Sequence, residues 1–146
     1  MANSRYNKIK GAKFEVDVAK YLRSLGHFVE RLAKAGSKDE GDLVAIIAGQ
    51  TFILELKNRK KIDLPAFWSE AQVEAKNYAK ARGLSYSPPA FVIVKRRSHS
   101  VSKAWVVQDL ESWLTMPTPQ GDITTTETMN PQPEEKKEEE KKQEER

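Results

Sequence analysis

Glu55 and Lys57 stand two apart in the run TFILELK, among apolar neighbours, and Asp42 heads the preceding apolar run LVAII. On an extended strand alternate side chains share a face, so this carboxylate and this ammonium project together. Charged groups so near a core either pair with each other or do chemistry. The AGQ segment between the two runs reads as a tight hairpin turn, which returns Asp42 to the neighbourhood of Glu55. Two carboxylates side by side repel, and a divalent cation relieves the repulsion. Mg2+, with Mn2+ as a substitute, suits all-oxygen ligands and keeps several waters, one of which can become a nucleophile. Lys57 can orient or deprotonate that water and offset the charge of a phosphate. Glu15, beside Phe14 at the edge of an apolar helical stripe, can face the sheet as a third carboxylate. Each residue alone has an ordinary reading: a surface ion pair, a strand-start acid, a solvated helix position. Together, and in this order, they form a candidate set for metal-dependent phosphodiester hydrolysis.

Positioning such a set takes a helix, a hairpin and a sheet. Ile9, Phe14, Val18, Leu22 and Leu25 recur near helical spacing over Ser4 to Leu25, and Gly26 supplies the stop. HFVERLA reads as a first strand, KAGSKDEGD as a polar loop, LVAII and TFILELK as the hairpin. Pro65 fits the first turn of a second helix whose apolar stripe is Phe67, Ala71, Ala75, Tyr78 and Ala79. AFVIVK and AWVVQ are further strands flanking the basic loop RRSHSVSK, and Asp109 can cap a short last helix, LESWLTM. The order predicts an α/β sandwich around a mixed sheet over residues 1–116. Trp68, Trp105 and Trp113 read as core, and His27 and His99, without metal-ligand spacing, as surface.

The 146 residues contain no cysteine, which removes disulfides, thiolate nucleophiles and cysteine zinc sites together. No apolar run approaches a membrane span and no signal-type segment opens the chain, so an intracellular, cytoplasmic protein with no membrane partner is expected. Residues 1–116 hold 20 Lys and Arg against 12 Asp and Glu, a balance of +8. Residues 117–146 hold 5 against 9, a balance of −4, with almost no large apolar residues. A basic globular part favours a polyanion through counterion release. The tail cannot bury enough surface to offset its ordering entropy and reads as disordered.

The segments KGAKFEVDVAKYL, GHFVERLAKAGSKDEGDLVA and ILELK resemble the PD-(D/E)XK nuclease superfamily, and within it the archaeal-type Holliday junction resolvases. The resemblance runs from about Lys10 to Lys57, with weaker echoes in QVEAKNYAKARG and PPAFVIVK. It implies a restriction-endonuclease-like core with a mixed sheet flanked by helices. It also implies a homodimer, Mg2+ dependence and structure-selective cleavage of four-way or branched DNA. Glu15, Asp42, Glu55 and Lys57 then form the catalytic set, with Asp42, Glu55 and Glu15 on the metal. Arg31 matches an Arg of the family pattern and can contact the scissile phosphate with its planar fork. Ser37 and Lys38 in the polar loop, and Arg59, Lys60 and Lys61 after the catalytic strand, can touch the DNA backbone. Gln72 on the second helix supports the site in some members of the superfamily. Two positions depart from the pattern: Gly41 stands for a usual Pro, where Gly is expected to make the same bend, and Val16 for a frequent Arg. The alternatives are a general restriction- or repair-type nuclease of this superfamily, and a DNA-binding protein with a degenerate form of the fold.

Overall fold

The computed structural model describes residues 2–33 and 39–116. Ser37, Lys38 and the tail therefore lie outside the described residues. Helix α1 spans Ala2–Ser24, followed by β1 (Phe28–Arg31), β2 (Leu43–Ile47), β3 (Gln50–Lys57), α2 (Leu64–Ala81), β4 (Ala90–Val94), β5 (Trp105–Val107) and α3 (Leu110–Thr115). The five strands form one sheet in chain order. β1, β2 and β3 are antiparallel, β3 and β4 parallel, β4 and β5 antiparallel. The single parallel step is the one that α2 crosses, as a parallel connection requires.

The hairpin closes on Ala48 and Gly49, both at positive φ (51° and 77°), the twist that suits a two-residue turn between right-twisted strands. It pairs Ile47 with Gln50 and Leu43 with Leu54. Alternation then sorts the side chains. Leu43, Ala45, Leu54 and Leu56 meet Phe14, Val18 and Ala19 of α1, whereas Val44 and Ile53 meet Phe67, Ala71 and Ala75 of α2. Each large apolar side chain buried this way contributes roughly 1.5–3 kcal/mol.

The core face of α1 begins at Phe14. Ile9 is 61% exposed and Leu25 55%, so the expected stripe is shorter than its spacing suggested. Twenty-three helical residues span about 35 Å, and the longest strand beneath, with eight residues, about 27 Å. The end of α1 is tied to the sheet by Arg23, whose guanidinium donates twice to the Val29 carbonyl, at 3.0 and 2.6 Å. Helix α2 is capped by the Asp63 carboxylate, which accepts from the Ala66 amide at 3.2 Å, and α3 by Asp109, which accepts from Ser112 at 2.8 Å. The basic loop before β5 contains a 3-10 turn, Val101–Lys103, that its polar composition concealed. Trp105 and Trp113 are more than half exposed, against the expectation that both are core. β5 is a three-residue edge strand, exposed at its first two positions, so the Trp105 ring stays at the surface.

Gly41 does not make a proline-like bend. Its φ is +103°, whereas proline is locked near −65°. Its amide also donates to the Asp39 carboxylate at 3.2 Å, a bond proline cannot make. A Cβ added here would meet Ile53 Cγ2 at 2.8 Å. Gly41→Ala is expected to cost roughly 1–3 kcal/mol, and Gly41→Pro at least as much, read as lowered midpoints in urea unfolding. A Gly41→Pro chain as stable as the parent would show that the family's bend is available here after all.

Candidate active site

Among the described residues, Asp42, Glu55, Lys57 and Glu74 are the buried charged ones, each 5% exposed or less. The hairpin register explains the first three. Leu43 opposite Leu54 on the α1 face leaves Asp42 and Glu55 to the α2 face, with Lys57 two residues further along. The Asp42 amide donates to the Leu54 carbonyl at 3.2 Å, and the Asp42 carboxylate accepts from the Leu56 amide at 2.8 Å. These bonds clamp the Asp42 side chain against the catalytic strand. Asp42 and Glu55 are close enough for the Asp42 charge to help raise the pKa of Glu55.

Helix α2 supplies what the sequence reading missed. Ala71 and Ala75, both essentially fully buried, let the helix lie close on the sheet. Glu70 and Glu74, one turn apart, thereby reach Glu55, and a carboxylate oxygen of each of the three lies within 4.8 Å of the other two. The Lys57 ammonium donates to Glu55 at 2.6 Å and to Glu70 at 2.7 Å, and lies 5.2 Å from the centre of the Phe67 ring. Glu74 was detectable: in the spacing Phe67, Ala71, Glu74, Tyr78 it occupies a stripe position, an acid where a core residue belongs.

Burial above all raises the pKa of Glu55, and the nearby Asp42 charge adds to it, against the hydrogen bonds to Glu74 and Lys57. Glu74 is pushed up to about 10, first by burial and then by its hydrogen bond to, and the charge of, Glu55. Both carboxyls are thus pushed towards their protonated forms. Burial pulls the Lys57 pKa down, but its bonds to Glu55 and Glu70 outweigh this and leave it raised.

A proton held by folded Glu74 above its ordinary value of 4.5 is released on unfolding at neutral pH. Its stabilising contribution is thus full below pH 4.5 and is lost as pH rises towards about 10. The slope is at most about 1.4 kcal/mol per pH unit for one proton. Denaturation midpoints of the metal-free protein should fall over this range. Glu74→Gln should flatten the profile, and an unchanged slope in that variant would refute the assignment.

Glu15 lies elsewhere. Its carboxylate pairs with Arg31 at 2.8 Å, where α1 crosses β1, on the opposite face of the sheet from α2 by the same alternation. The structure thus groups Glu55 with Glu70 and Glu74, and holds Glu15 with Arg31. Gln72 is partly buried, and its amide nitrogen has no hydrogen-bond partner among the described residues. Arg59 and Lys61 line a cleft of about 340 Å³ with Lys57, Phe67 and Glu70, whereas Lys60 is exposed. A larger cleft of about 560 Å³ lies beside Trp105, whose ring stacks on Arg96 at 4.2 Å. No described helix is long and apolar enough to cross a membrane.

A mixed sheet with an acid heading one strand and Glu-Leu-Lys closing the next is the framework of a PD-(D/E)XK nuclease. Within that superfamily the chain belongs to the archaeal Holliday junction resolvase (Hjc) family, whose model matches residues 6–85, more than half of the sequence. It is thus a DNA nuclease of a divalent-metal-dependent family that resolves four-way junctions. No curated protein matches the sequence. Among solved structures it is similar to Hjc of Archaeoglobus fulgidus, a Holliday junction resolvase from an archaeal hyperthermophile. The two are 22% identical over 71% of this chain and 92% of that one, with a TM-score of 0.43.

The residues present fit a hard divalent cation. Asp42, Glu55 and Glu74 are buried carboxyls, Glu55 is paired with the buried Lys57 ammonium, and every candidate donor is an oxygen.

Proposed function

We propose that the chain cuts four-way DNA junctions with Mg2+ held by Asp42 and Glu55, and with Lys57 as the residue that handles the attacking water. The observation that carries this is the clamp of the Asp42 carboxylate on the Leu56 amide, between Glu55 and Lys57 on the same strand. When bound there, the cation would supply a water of lowered pKa and charge for the phosphate. Glu55 and Asp42 bind and orient. The Lys57 ammonium, fixed at its base in a buried strand and held by Glu55 and Glu70, borders the cleft lined by Arg59 and Lys61. Those two cations and Arg31 suit flanking phosphates. Glu15 then acts on Arg31, steering its guanidinium, rather than on the metal.

A junction must be cut on two strands, and one chain offers one such site. A two-fold dimer presents two. The apolar residues that would meet are on β5 and α3, where Trp105, Val106, Leu110, Trp113 and Leu114 are all more than half exposed. β4, buried along its whole length, offers no comparable apolar surface. A supercoiled plasmid that extrudes a cruciform separates the cases. Paired cuts within one binding event give linear plasmid as the first product, with light scattering reporting a dimer. Nicked circles alone, from a monomer, would contradict the paired arrangement.

A further inference from the structure

The chain enters Asp42 through its least constrained kind of residue. A glycine takes either sign of φ about as readily, yet Gly41 stands at +103°. Asp42 bonds to Leu32, Leu54 and Leu56, but those bonds hold only while the chain arrives from the right direction. The Asp39 carboxylate accepts from the Gly41 amide at 3.2 Å, and that small turn needs an anchor of its own. Asn77 of α2 and Arg82, the cap at its C-terminal end, supply one. Asn77 Nδ2 donates to the Asp39 carbonyl at 2.8 Å in a partly buried setting, where a backbone acceptor outside the sheet has to find a partner. Arg82 donates to the Glu40 carboxylate at 2.8 Å. Its guanidinium lies 3.7 Å from the centre of the Tyr78 ring and also donates to the Tyr78 carbonyl at 3.4 Å. The Arg82 and Glu40 side chains are 40% and 22% exposed, so the pair adds little stability. Stacked and doubly bonded, it fixes geometry instead. Burial and Glu55 do most to raise the Glu74 pKa, and the Asp39 charge adds to it, which puts Asp39 beside the site as well.

We infer that Asn77 and Arg82 are positioning residues for the cleavage site: by holding Asp39 and Glu40 against the C-terminal part of α2, they keep Gly41 in one conformation and the Asp42 carboxylate in one orientation towards the cation. The inference rests on the reading of Asp42 as a metal ligand. Neither side chain binds the ion. Their effect passes through three residues of backbone, Asp39 to Gly41, into β2. The same helix meets the other end of the site, where the Phe67 ring lies 5.2 Å from the Lys57 ammonium. One rigid element of 18 residues thus braces both the approach to Asp42 and the lysine. Groups that orient a ligand from behind are commonly worth about 10–100-fold in metal affinity. Asn77 is the stronger of the two anchors, because its bond is partly buried and acts on the backbone itself.

Mn2+ binding to the full chain, read from the free-ion electron paramagnetic resonance signal, measures this without cutting any DNA. Asn77→Leu keeps the size of the side chain and loses the donor. It should weaken Mn2+ binding by about 10-fold or more in protein that urea unfolding shows to be folded. Arg82→Gln should weaken binding by a smaller factor, and Arg82→Lys, which keeps a cation for Glu40, should recover most of that loss. The Mg2+ concentration for half-maximal junction cutting should rise in step, with the rate at saturating Mg2+ changing less. Arg82 is at the surface, so its variants keep the test valid should Asn77→Leu fold poorly. A merely structural role would lower the unfolding midpoint and leave the Mn2+ affinity of the folded protein alone. Parental affinity in folded Asn77→Leu, or in Arg82→Gln, would therefore overturn the inference. Asp42→Asn separates it from the reading beneath. Parental affinity in Asp42→Asn would refute Asp42 as a ligand, whereas affinity lost there and kept in both other variants would refute this inference alone.

Discussion

Asp42→Asn and Glu55→Gln should each lower the single-turnover rate of junction cutting by about 10²–10³-fold or more, while junction binding stays the same or tightens. Both carboxylates are buried; the strands are paired by their backbones, and Asn at position 42 can still accept from the Leu56 amide. Their loss removes ligands and with them the activated water. Their negative charge opposes phosphate, so neutral amides relieve repulsion in the bound complex. Glu55→Gln keeps a hydrogen-bonding group beside Lys57 and Glu74, so its unfolding midpoint should move little by comparison. Quantitative cleavage and gel-shift titrations on the same four-way junction read both effects. Near-parental Mg2+-dependent cutting in either variant would place the site elsewhere.

Lys57→Met should abolish cutting and also destabilise the metal-free protein, by about 3–5 kcal/mol, the usual cost of removing one partner from a buried ion pair. The Glu55 and Lys57 side chains are both 6% exposed, 2.6 Å apart. Without the ammonium, the buried Glu55 carboxylate loses its ion-pair partner. Adding Mg2+ should recover much of the stability and none of the activity. The double variant Glu55→Met with Lys57→Met should be more stable than Lys57→Met alone, because no uncompensated charge remains. Urea denaturation of the four forms of this cycle measures the coupling. A Lys57→Met protein as stable as the parent would show the ammonium to be solvated and the pair unimportant to the fold.

The strands around the site were legible because alternation and turn chemistry are local. LVAII became β2 residue for residue, and the short AGQ turn set the register that carries Asp42 to Glu55. The face-sharing of Glu55 and Lys57 followed from strand geometry alone. The depth of α2 was not legible. Whether an acid on a helix meets water or a sheet depends on how close the helix lies, and that is set by the small side chains Ala71 and Ala75 against β3 and β4. Glu70 therefore left no mark in the sequence and Glu74 only its stripe position, whereas Gln72, between them, drew attention on the strength of a resemblance. Glu15 stands apart from the Glu55, Glu70 and Glu74 group for a similar reason. The residue is at the edge of the right helix, but α1 packs on the other face of the sheet, and Arg31 is within its reach. The Gly41 backbone could not be foreseen either, since a glycine in place of proline is silent about which sign its φ takes.

The central claim is that this chain is a metal-dependent nuclease selective for junctions. A synthetic four-way junction and a linear duplex built from the same arms, offered together at physiological salt, test it most directly. No cutting is expected in EDTA and, on addition of Mg2+, paired nicks at two-fold-related positions of the junction with the duplex left intact. Cutting that persists in EDTA, or that proceeds at equal rates on junction and duplex, would contradict it.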